Sequence, residues 1–70
     1  MTKLEKRLIE NGYVFEKEQE VTFGLRSGIV KLYVKLEHNA TVKKVYISNE
    51  DIITSHNVNK KELKVLNGYI

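Results

Sequence analysis

The sequence contains no cysteine, no proline and no tryptophan. Without cysteine there is no disulfide and no thiolate metal site to staple the fold. It also lacks any apolar run near the ~18 residues of a membrane span. The opening MTKLEKRLIENG does not carry the apolar core of a secretory signal. A cytoplasmic protein is therefore expected, and the Asn39-Ala40-Thr41 match to a glycosylation acceptor is read as chance. The four glycines stand singly, so no glycine-rich phosphate loop is present. Two histidines, His38 and His56, are too few and too far apart for a recognised metal-ligand spacing. Serines and threonines lack a nucleophile motif, and neither histidine has a partner constellation. No enzyme, no cofactor, no metal and no small-molecule substrate are expected.

What remains is 70 residues, 41% of them hydrophobic, with a net charge of +3. That is one small α+β domain spanning residues 1–70. A chain of this size buries only about 60% of its unfolded surface, which makes a subunit interface an attractive supplement. Ten lysines beside six isoleucines and six asparagines suggest AT-rich coding. A low-GC bacterium or one of its phages fits that usage. The charge is unevenly spread. Residues 21–48 carry Arg26, Lys31, Lys35, Lys43 and Lys44 against Glu37 alone, so the basic excess falls in the region that reads as sheet.

Both ends of the chain read as short helices. Thr2-Lys3-Leu4-Glu5 and Asn59-Lys60-Lys61-Glu62 are capping boxes, in which the first side chain accepts from the amide three residues on. Leu4, Leu8 and Ile9 supply one apolar face for the first helix, and Val58 with Leu63 forms a staple for the second. Asn11-Gly12 and Asn67-Gly68 provide left-handed exits, each followed by a tyrosine that can pack back on the last turn.

Between the helices, Tyr13, Phe15, Val21, Phe23 and Leu25 occupy odd positions around a polar run at 16–20. One strand bent near residue 18 is favoured over two short ones. Arg26-Ser27-Gly28 then reads as a hairpin connection. In GIVKLYVKLEH, residues 28–38, the period of two puts Val30, Leu32, Val34 and Leu36 on a core face. Lys31, Tyr33 and Lys35 are left on the outer face. His38-Asn39-Ala40 is a turn. A third strand over 41–48 needs a bulge at Lys43-Lys44 to bring Val42, Val45 and Ile47 to one side. Residues 49–51 read as loop, with Ile52-Ile53 plugging one end of the core. The predicted architecture is α-β-β-β-α, a three-stranded antiparallel meander with both helices on one face.

Three binding surfaces suggest themselves. Lys31, Tyr33 and Lys35, extended by Arg26, Lys43 or Lys44, combine phosphate-neutralising cations with a stackable ring, the chemistry of a single-stranded nucleic-acid site. The plain alternative is a solvated face whose lysines discourage aggregation. Lys60, Lys61 and Lys64 lie at a helix start, where backbone amides favour anions. This segment resembles the Ser-Lys-Lys-x-x-Lys start of the second helix in double-stranded RNA-binding domains, which share the α-β-β-β-α topology. The chain has neither their histidine-bearing loop nor their longer alanine-rich helix. LIENGYVF is likewise similar to the helix-to-strand junction of HicA-type toxins, without their Gly-Ser-His segment. Finally, Tyr33, Tyr46, Tyr69 and Ile70 offer interface residues. The favoured reading is a non-enzymatic binding or regulatory protein, with no family assigned, acting on a protein partner or on itself as a homodimer. A phage or mobile-element accessory protein is the natural setting, and nucleic-acid binding is the alternative.

Overall fold

A computed structural model describes residues 2–24, 26–49 and 51–68. The element order is α1 (Lys3–Glu10), β1 (Val14–Phe23), β2 (Arg26–Leu36), β3 (Val42–Ser48), β4 (Asp51–His56) and α2 (Lys60–Asn67). The four strands form one antiparallel sheet in the order β1-β2-β3-β4. The α+β class holds, but the meander has four strands and not three. Residues 51–56, expected as loop and core plug, are the fourth. Adjacent Ile52 and Ile53 hide the strand because they break a period of two. A register shift opposite Tyr46 and Ile47 absorbs the extra residue. Ile52 thereby packs against the core, and Ile53 is left exposed.

Both helices lie on one face of the sheet, as expected. Leu4 and Leu8 of α1, Leu66 of α2, Tyr13, Tyr33 of β2, and Val45 and Ile47 of β3 form a single buried cluster. Ile9 lies outside it and is exposed. The helix ends follow their sequence signals. The Thr2 hydroxyl accepts from the Glu5 amide at 3.2 Å, and the Asn59 side chain accepts from the Glu62 amide at 2.8 Å. At the end of α1 the Tyr13 amide donates to the Leu8 carbonyl at 2.9 Å, which closes the last turn in the Schellman manner. Gly12 takes φ +90°, and a Cβ there would also crowd the Lys35 side chain at 3.2 Å. Tyr69, expected to pack on α2, lies outside the described residues, as does Ile70.

The strands differ from expectation in phase. β1 is one strand, irregular between Phe15 and Lys17. That bulge flips the alternation: Phe15 pairs with Tyr33 on the helix side, whereas Val21 pairs with Gly28 on the opposite side. Arg26, Ser27 and Gly28, expected as the connection, already belong to β2. β3 runs without a bulge at Lys43-Lys44. Val45 and Ile47 therefore reach the core while Val42 faces away with Lys44 and Tyr46.

In β2 the expected sides are exchanged. Tyr33 is 2% exposed within the core, and Lys31 and Tyr33 both bond to α1. The aliphatic set Val30, Leu32, Val34 and Leu36 points to the face without helices. Four aliphatics outweigh two lysines in any hydrophobic pattern, but a lysine stem is itself apolar and its charge can be met by a helix carboxylate.

Candidate binding surface

The helix-side lysines are held by the protein's own glutamates. The third residue of each helix, the capping-box glutamate, reaches across to the sheet, and in α2 Glu62 also accepts from the side-chain amide of its own cap, Asn59, at 3.3 Å. In α1, Glu5 is 7% exposed and accepts from Lys31 Nζ at 3.2 Å and from the Tyr33 hydroxyl at 3.0 Å. Burial alone would raise the Glu5 carboxyl, but the hydrogen bonds from Lys31 and Tyr33 outweigh it and hold the group below its ordinary 4.5. Burial, followed by the bond to Glu5, pushes the Tyr33 phenol up to about 12. In α2, Glu62 accepts from Lys43 Nζ at 2.6 and 2.7 Å. Lys43 also meets Glu37 at 2.8 Å. Glu37 and then Glu62 raise the Lys43 ammonium, and the bond from Lys43 lowers Glu37 in turn. Arg7 Nε adds a bond between the helices, donating to the Leu66 carbonyl at 2.7 Å, where cations suit a helix C-terminus.

Lys35 completes this side. Its ammonium lies 5.8 Å from the centre of the Tyr13 ring and 3.9 Å from Glu37. Tyr13, Lys35, Glu37, Lys43 and Glu62 line part of a cleft of about 330 Å³. The Tyr13 hydroxyl is buried there with no hydrogen-bond partner among the described residues, and burial, then Glu62, raises its pKa. Positive and negative side chains balance around the cleft.

The structure thus divides the residues singled out from sequence. Lys31, Tyr33, Lys35 and Lys43 gather on the helix side, where Tyr33 has no ring face left for a base. Lys44 stands on the opposite side of the sheet. Lys60, Lys61 and Lys64 are exposed on α2. The side chain of Arg26 lies outside what is described.

The face without helices is the surface that pattern reading took for the core. Strand register sets its rows. Val14, Val34, Lys44 and His56 form one row, and Lys17, Leu32, Tyr46 and Thr54 the next. Leu36 pairs with Val42 at the end of β2. Val30 and Leu32 are buried within the sheet, but Leu36 is 71% exposed, Val14 61% and Val42 39%. Single exposed aliphatics are ordinary, whereas a contiguous group marks an interaction site. Leu36 and Val42 read from sequence as core because their alternation is that of a half-buried strand, while Val14 stands outside the odd-numbered apolar set of its segment.

Among the described residues no cluster of three or more metal-ligating side chains occurs, and no helix is long and apolar enough to cross a membrane. The fourth strand separates the chain from the α-β-β-β-α topology of the two families it resembles in short segments. Comparison with protein-family models, curated proteins and solved structures returns no match.

Proposed function

We propose that this is a non-enzymatic binding protein that takes a protein partner on the open face of its sheet. One observation carries the reading. The chain spends two internal lysine–glutamate junctions to seat its helices on the Lys31–Tyr33–Lys35 side, and leaves Leu36, Val14 and Val42 uncovered on the other. The open face of β2 carries Val30, Leu32, Val34 and Leu36 in succession, the kind of apolar row that a second layer ordinarily covers. Among the described residues no element covers it. The lysine-rich composition suits a small cytoplasmic phage or mobile-element accessory protein that engages a host factor in this way.

Affinity capture with the full chain tests the proposal, run beside Leu36→Asp and Val42→Asp. Wild type should recover one defined partner or itself, and both variants should lose it while keeping the same circular dichroism. Equal recovery by wild type and variants, or none by either, refutes it. The nucleic-acid reading retains the exposed lysines of α2, Lys60, Lys61 and Lys64. It requires oligonucleotide affinity that falls steeply with salt and disappears on changing Lys60 and Lys61 to Glu.

A further inference from the structure

We infer that the open sheet face docks an acidic, apolar protein segment, with aliphatic contacts at Val14, Leu36 and Val42 flanked by Lys17 and Lys44. This rests on the open face being the binding surface and adds the chemistry of what covers it. The two sides of the sheet handle charge in opposite ways. On the helix side Lys31, Lys35 and Lys43 each meet a glutamate within 4 Å. On the open side Lys17 and Lys44 make no ion pair among the described residues. Register places no carboxylate in either of their rows, which hold Val14, Val34 and His56 beside Lys44, and Leu32, Tyr46 and Thr54 beside Lys17. Asp51, in register with Ser48, is at the far end of β4 from His56.

The positions of the two ammonium-bearing strands set a spacing. Lys17 and Lys44 are two strands apart and one row apart, which at ordinary sheet dimensions is roughly 12 Å. Aliphatic surface adjoins Lys44 in the same row at Val34 and Val14. A complementary segment carries two carboxylates about that far apart with leucine, valine or aromatic side chains between them.

The same geometry disfavours the other occupants. A two-fold dimer sets the patch against itself, bringing a second Lys17 and Lys44 to rows that hold no carboxylate. A nucleic acid needs a denser cation array and stacking rings. The exposed residues here are aliphatic, and Tyr46 is partly buried.

A displayed library of random 16-residue peptides, panned against the full chain, is the test. Enriched peptides should carry Asp or Glu interleaved with large apolar residues. Their affinity should fall at least tenfold with Leu36→Ser, with Lys44→Glu and with Lys17→Glu, and at least tenfold between 50 and 500 mM NaCl. Lys17 is exposed, so its variant stands as the charge test should Lys44→Glu fold poorly. Peptides that need Leu36 but show neither acid bias nor dependence on the lysines overturn the inference and spare the open-face reading. Peptides that ignore Leu36, or no peptides at all, overturn both. A dimer in sedimentation that Leu36→Ser dissolves, or an oligonucleotide that displaces the peptides with higher affinity, also overturns the acidic segment as occupant.

Discussion

Changing Tyr33 to Phe removes a single oxygen from the junction that ties α1 to the sheet. The ring stays in the core, so the perturbation is confined to the hydrogen bond with Glu5. Hydrogen bonds to charged groups contribute about 1.5–3 kcal/mol. Glu5 is 7% exposed, so water cannot readily replace the lost donor, and Lys31 remains as its other partner. A loss of about 2 kcal/mol is expected from that range. A domain of this size has roughly 4–10 kcal/mol in total, from about 0.05–0.15 per residue. At about 4–8 °C per kcal/mol, the melting temperature should fall by roughly 8–16 °C. The pH dependence makes the prediction specific. Glu5 sits below its ordinary 4.5 in the folded protein, so the stability it confers is present above that value and is lost as pH falls through the lowered one. Tyr33 sits above its ordinary 10.0, at about 12. Its contribution is therefore full below pH 10 and is lost as pH rises towards 12, by up to about 2.7 kcal/mol for a two-unit shift. The gap between wild type and Tyr33→Phe should be widest near neutrality and close at both extremes. Urea titrations followed by circular dichroism from pH 3 to 11 measure it. A gap under about 0.5 kcal/mol at pH 7, too small for a buried bond to a carboxylate, or one that does not vary with pH, refutes the assignment.

The exchanged faces of β2 can be tested directly. Leu8→Ala should cost about 2–5 kcal/mol, as for a fully buried leucine, whereas Leu36→Ala should stay within about 0.5 kcal/mol in the same denaturation assay. Asn59→Ala should lower stability by about 1 kcal/mol through loss of the α2 cap, and Asn59→Ser should restore most of it. Tyr13→Phe should be neutral or stabilising in a thermal melt, because the hydroxyl it removes is buried with no partner among the described residues.

Much of the fold is legible in the chain, and the losses have physical causes. Caps and exits depend on four or five adjacent residues, so Thr2, Asn59, Gly12 and Gly68 announce α1 and α2 without reference to anything distant. The two faces of β2 depend on what lies across from them. Val30, Leu32, Val34 and Leu36 give the stronger local signal, but only the opposition of Glu5 to Lys31, and of Glu62 to Lys43 on β3, decides where the helices sit. Both glutamates were read as local capping groups, and their reach of 26 and 19 residues has no short-range signature. β4 is hidden by the bulge at Ile53, and the odd-numbered pattern of β1, which reads as one face, is divided between two by the bulge near Glu16. At the proposed binding surface, Lys44 and Tyr46 stand out from sequence by residue type alone, whereas Leu36 and Val42 look like interior.

The two irregularities in pairing lie in β1 and β4, the strands at the sheet's borders. A kinked border presents amides and carbonyls out of step, and a second sheet cannot continue the ladder past it. β1 adds Lys17, Glu18 and Glu20 along its length, further discouraging a neighbour. The protein can therefore leave aliphatic side chains open on a broad face without inviting growth strand by strand. Association is steered away from the hydrogen-bonding direction and towards contact through side chains, where recognition can be selective and reversible.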